Sequence, residues 1–230
     1  MLHRVSQTLL WLCLGLGSFL ITLSSIVYFN KNERAAFIIE KLPLPAEDLY
    51  VLALRLHVAV AALALPGCLI LATKTVLKRW PTFHRWLGRS LGSVILAVLV
   101  PTGVYLAFFA RGGWLATLGF LLTGAIVLVA MIQGIRAARA RDYVRHRRLT
   151  FHVLGQLSVA VTSRAMLIGL EFFGTEPDFA YLVSLWIPVV GTFALVEYLA
   201  SPIQLKLTLR SFYEKTLAYA GARSRGADSR

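Results

Sequence analysis

The sequence predicts an all-α, polytopic membrane protein: a bundle of six transmembrane helices with both termini cytoplasmic. Three observations predict it. The 230 residues are 57% hydrophobic, with a mean hydropathy of +0.69, too apolar for an ordinary soluble domain. Six apolar runs, at about residues 8–29, 50–73, 90–110, 114–134, 150–170 and 180–200, approach the length of helix that crosses a ~30 Å hydrocarbon core. Eighteen of the 24 Lys and Arg residues lie in the segments on one side of those runs, against four on the other. Basic loops stay in the cytoplasm, so this asymmetry orients the chain.

The segments follow in order. Before the first run stands Arg4 alone. The run from Leu9 to Phe29 is too long for a secretory h-region, and no A-x-A-like site closely follows it, so it reads as a retained helix. Residues 30–49 mix three bases with four acids. Within them FIIEKL reads as a short interfacial turn, which Pro43 and Pro45 break before the second span. Residues 74–89 carry Lys74, Lys78, Arg79, Arg85 and Arg89 and no acid. Residues 111–113 hold one Arg, residues 135–149 hold six Arg against Asp142, and the only charges in 171–179 are acidic. After the membrane domain, 1–200, comes a basic cytoplasmic tail, 201–230, with six bases. Its IQLKLTLRSF alternates with period two and reads as lying along the lipid surface, with Lys206 and Arg210 at the headgroups. The closing ARSRGADSR reads as disordered.

The net charge of +13 would suit nucleic acid, but the bases flank spans, where anionic inner-leaflet lipids attract them. The expected partners are therefore the bilayer, those lipids and a membrane complex partner, with no nucleic acid. Cys13 and Cys68 lie inside apolar runs and imply no disulfide framework. There is no G-x-x-x-x-G-K-[ST], H-E-x-x-H or G-x-S-x-G. C-x-x-C-H is also missing, which excludes covalently attached c-type haem.

Ionisable groups inside spans are costly unless they face the bundle, a partner or water. The candidates are Arg55 and His57 in the second span, His152 and Arg164 in the fifth, and Glu197 in the sixth. On the fifth, His152, Gln156 and Ser163 return to within about 40° of one face and form a polar stripe aimed into the bundle. An interhelical hydrogen-bond seam accounts for that stripe. Arg164 shares a face with Glu171, so an ion pair or snorkelling accounts for it. The sharper reading is an outer polar site for an anion or a quinone headgroup, lined by Arg55, His57 and Arg164. Gly88 and Gly92 form a G-x-x-x-G that suggests close packing at the entry to the third span.

Three of the five histidines, His84, His146 and His152, lie near the basic face. Bis-histidine haem needs two imidazoles facing across a gap between helices. His84 and His152 meet that condition if the third and fifth spans are neighbours. His146, at the interface, is the poorer partner. The cofactor expected is one haem b, its iron held by His84 and His152, with Arg85, Arg89 or Arg147 at the propionates. Anchoring at the interface accounts for the same histidines without a cofactor.

RLH (55–57), FHRWLGR (83–89), P-x-G-x-Y-L-A-F-F-A-R-G-G-W (101–114), LGFLL (118–122), IRAARARDYVRHRR (135–148), Arg164, W-I-P (186–188) and Glu197 stand in order over roughly residues 50–200. Together they resemble the bacterial family of predicted membrane proteins called domain of unknown function 2306. That resemblance implies a multi-pass protein of the bacterial inner membrane and brings no established activity. After HRR the family carries an aromatic residue and a methionine, where this chain has Leu149 and Thr150. RLHVAVAALALPG (55–67) and HRWLG (84–88) are more distantly similar to six-helix b-type cytochromes that move electrons from ascorbate. That likeness implies an inner haem pair of His84 and His152, while the fourth span has no histidine to face His57. Two functions follow as expectations: a redox protein holding one b-type haem or a quinone near the cytoplasmic face, or a non-enzymatic small-solute carrier or accessory subunit.

Overall fold

The computed structural model describes residues 2–29, 44 and 46–200. The expectations for residues 30–43 and 45 and for the tail lie outside the described residues. Within them the chain is helical, without strands, and six helices are long and apolar enough to cross a membrane. The first span is Leu2–Ser24 followed by the 3-10 turn Ser25–Phe29; the second is Glu47–Ala72. A short helix, Lys74–Arg79, leads into the third, which runs Pro81–Val94, a π-turn Ile95–Leu99, and Val100–Ala107. The fourth, fifth and sixth are Gly113–Arg139, Tyr143–Phe172 and Pro177–Ala200.

The ends are set by local chemistry. Pro81 opens the third span at a first-turn position, where its missing N–H costs nothing. Asp142 caps the fifth, its Oδ1 accepting the Arg145 backbone N–H at 3.0 Å. The carboxylate of Glu176 accepts the N–H groups of Asp178 at 3.0 Å and Phe179 at 2.8 Å at the start of the sixth. Gly112, at φ 87°, makes the left-handed turn before the fourth. In the third span, Val100 N–H reaches back five residues to the Ile95 carbonyl. Pro101 follows, with no N–H and a ring that displaces the carbonyl four residues earlier, and the wider turn accommodates it.

The helices outrun the apolar runs at the basic end. The third begins at Pro81, the fifth at Tyr143, and the fourth continues to Arg139. Backbone hydrogen bonding persists there while Lys and Arg stems carry their charges outward. His84 and His146 consequently sit inside helices, not in flanking segments.

The fifth span is the hub, packing on the first, second, fourth and sixth. A central cluster joins Ala64 of the second span, Ile95 and Leu99 of the third, Val127 and Ala130 of the fourth, and Val153 of the fifth. Gly17 meets Val161, so the first span closes on the fifth without room for a side chain. A Cβ at Gly119 would stand 2.8 Å from Leu185 on the sixth. The predicted G-x-x-x-G packs less tightly and on two neighbours: a Cβ at Gly92 would stand 3.5 and 3.6 Å from Ile135 and Met131, and one at Gly88 3.9 Å from Leu71. The tighter approach of the second and third spans is at Gly67, where an added Cβ would stand 2.5 Å from Leu91.

Candidate functional site

His84 lies seven residues before Leu91 and eleven before Ile95, so the three share a helix face. On the fifth span, His146 precedes Leu149 by three residues and Val153 by seven, again one face. Leu91, Ile95, Leu149 and Val153 pack in the same central cluster. The two histidines therefore lie at the basic end of that cluster. Both are half-buried. His146 Nδ1 lies 2.9 Å from the Gly134 carbonyl. A carbonyl only accepts, so Nδ1 carries the hydrogen and the neutral ring keeps its lone pair on Nε2. Metal-bound histidines are oriented in this way. His84 Nδ1 is buried and has no hydrogen-bond partner.

The arginines around this pair are exposed. Arg145 donates to Gln133 Oε1 at 3.0 Å, Arg85 reaches Thr82 Oγ1 at 3.5 Å, and Arg147 lies over Phe151 at 5.5 Å. Arg89 is exposed on the same helix as His84.

His152 is placed elsewhere. It is six residues beyond His146, about 120° around the helix, and that turn aims it at the sixth span. Its Nε2 lies 2.8 Å from Glu197 Oε1, and its ring packs on Phe193 with centroids 4.9 Å apart. Glu197 Oε2 pairs with Arg148. One turn deeper, Gln156 Nε2 donates to the Val189 carbonyl and to Thr192 Oγ1, both at 3.1 Å. The polar stripe is thus a seam between the fifth and sixth spans, with His152 and Gln156 buried. Ser163 is only partly buried and is joined to neither by a hydrogen bond.

Bis-histidine haem was tied above to His84 and His152. The Nε2 of His152 is engaged by a carboxylate, while His146, assigned the poorer role, has the oriented ring with an open Nε2. His84 and His146 are the two of these histidines that no carboxylate engages. Among the described residues, no three His, Cys, Asp or Glu gather as a metal site.

At the acidic end, Arg55, His57 and Arg164 share no hydrogen-bond partner. Arg55 Nε donates to the Tyr28 carbonyl at 2.8 Å, tying the second span to the first. His57 Nδ1 lies 3.1 Å from both Leu99 O and Thr102 Oγ1 beside the π-turn, with Gly103 leaving room for its ring. Arg164 is exposed and donates to Ala160 O of its own helix at 2.8 Å. It forms no ion pair with Glu171; a helical side chain leans toward the N-terminus, away from a residue seven further on. Arg55 and His57, two residues apart, point to nearly opposite faces.

The sequence reading missed the pairing of Glu197 with His152 and the part played by Arg148. The signal was present: Arg148, His152 and Gln156 recur every four residues, a spacing that stacks side chains on one face.

Residues 54–200 match the family model described as predicted membrane protein (DUF2306). No curated protein and no solved structure matches the chain. The match covers more than half of the sequence, and the chain belongs to that family.

Proposed function

We propose that this member of the DUF2306 family is a redox protein of the bacterial inner membrane, holding one b-type haem or a quinone headgroup between the third and fifth spans. The basic end faces the cytoplasm in this reading, where anionic lipids neutralise its loops. One observation carries it: the Gly134 carbonyl orients the His146 ring with Nε2 open, and at the same end of the bundle the buried Nδ1 of His84 lacks a partner. Haem bound there would supply one-electron chemistry. The chain's own part is to orient two imidazoles, and to offer Arg85, Arg89 and Arg147 to carboxylates at the membrane surface. A quinone would use the same imidazoles as hydrogen-bond partners for its oxygens.

The second reading, a small-solute carrier or accessory subunit, draws on the seam between the fifth and sixth spans, where buried polar groups tie helices together. A visible absorption spectrum of the purified protein, before and after adding haemin, separates the two. A Soret band supports the haem form; a spectrum with neither haem nor extracted quinone leaves the carrier or accessory reading.

A further inference from the structure

Between the basic end and the bundle interior runs a chain of protonatable and polar groups that the haem reading does not use. Glu197 is the one carboxylate in the apolar part of the spans, its side chain 36% exposed, while the His152 side chain it touches is 5% exposed. Beyond His152 two buried atoms lack partners, His152 Nδ1 and Gln156 Oε1. They belong to residues four apart on one helix, neighbours at about 5–6 Å between Cβ atoms. The orientation of the Gln156 amide is settled by its neighbours: Val189 O only accepts, so the atom facing it is the NH2 group and the oxygen is left over.

We infer that His152, Glu197 and Gln156 form a proton-uptake site, binding one proton and one water and opening at the basic end. A water between His152 Nδ1 and Gln156 Oε1 satisfies both orphaned atoms in each ring state. With hydrogen on Nε2, donated to Glu197, Nδ1 accepts from the water, which gives its other hydrogen to Gln156. With hydrogen on Nδ1, that hydrogen goes to the water oxygen, the water still donates to Gln156, and Nε2 turns its lone pair to Glu197. A solvent proton then adds to the Glu197 carboxylate and passes along the 2.8 Å bond to Nε2. This leaves carboxylate and imidazolium, and the balance is one proton taken from solvent. Two to four polar partners are what a buried water needs.

The helices around this site bring few charged or titratable groups. Arg148, on the same helix, holds the outer oxygen of Glu197. The sixth span contributes Glu197 itself. The second contributes the Cys68 thiol, packed with Leu154 and Leu157, and the first contributes Trp11 and Leu14 on that same flank. The fourth span offers Gln133 and the Gly134 carbonyl to Arg145 and His146 instead.

The test is the exchange of the His152 imidazole N–H with water, read by NMR on the full-length protein with ¹⁵N-labelled histidine in nanodiscs. His152→Gln identifies the signal. The wild type should exchange readily although its ring is buried. Glu197→Gln, which cannot carry the proton, should slow exchange about tenfold or more, and Glu197→Asp should restore much of it. Gln156→Leu should move the Nδ1 resonance by removing the water's second partner. Equal exchange in wild type and Glu197→Gln, or ring resonances indifferent to Gln156→Leu, would overturn the site. Should Glu197→Gln fail to fold, the Glu197→Asp and Gln156→Leu results decide: unchanged ring resonances in Gln156→Leu reject it. None of these readings depends on haem or quinone.

Discussion

Glu197 Oε1 lies 2.8 Å from His152 Nε2, joining the sixth span to the fifth across 45 positions of sequence. Its other oxygen meets Arg148, one turn from His152 on the same helix. The contact turns His152 toward the sixth span, away from the face of the fifth span that carries His146.

The seam should contribute measurable stability. Polar contacts between membrane helices are worth less than their burial suggests, because the separated helices also find partners. His152→Ala, which also leaves a cavity beside Phe193, should therefore destabilise by about 1–2 kcal/mol. Unfolding in mixed detergent micelles measures it. A loss as small as that of a lipid-facing control, Leu63→Ala, would show that the seam does not hold the helices.

Two glycines on the first span make a paired test. Gly17 is pressed on the short, branched side chain of Val161, whereas a Cβ at Gly15 would meet nothing within 4 Å. Gly17→Ala should cost about 1–3 kcal/mol through overpacking. Gly15→Ala should be neutral or gain about 0.5–1 kcal/mol of helix propensity. Equal melting temperatures for the two variants would place the first span differently.

Glu176 gives a pH dependence. The backbone N–H groups of Asp178 and Phe179, and more weakly Arg111, stabilise its carboxylate and hold its pKa below the ordinary 4.5. A depressed carboxylate contributes fully above its unfolded pKa, and the contribution fades as pH falls through the folded value. The wild type should thus exceed Glu176→Gln in stability by a constant margin near neutrality, and the margin should shrink in acid below about pH 4.5. Thermal melts of both proteins from pH 3 to 7 check it (a pH range set by the reference carboxylate values). A margin that grows in acid would contradict the cap.

Topology follows from the charge asymmetry. Reporter fusions at Glu47, Arg141, Pro177 and the C-terminus should read outside, inside, outside and inside. An external C-terminus would reverse the orientation proposed for the basic end.

Much of this architecture was legible in the residues, and what was not has physical causes. The six apolar runs marked the spans because hydrocarbon leaves little choice of structure. The helical turns at 81–89 and 143–149 read as flanking segments because Arg-rich sequence looks like loop, although nothing in it breaks a helix. Pro101 announced a disturbance, but not that the adjustment would be a π-turn upstream of it, with His57 on its carbonyl. Helical spacing alone separates His146 from His152 by about 120°. Which neighbour each face meets depends on the order of helices in the bundle, and one chain's periodicity does not contain that. The acidic-end trio of Arg55, His57 and Arg164 shares a depth, but depth alone does not show that each takes a different hydrogen-bond partner.

The most direct test of the central claim is the absorption spectrum of the purified protein, reconstituted with haemin, in three variants. A Soret band with low-spin bis-imidazole features should form in the wild type and in His152→Ala. It should be lost or converted to a high-spin form in His84→Ala and in His146→Ala. A band that survives both of those substitutions but disappears in His152→Ala would return the ligand to the fifth–sixth span seam. No band in the wild type, with no quinone extracted from it, would contradict the redox reading.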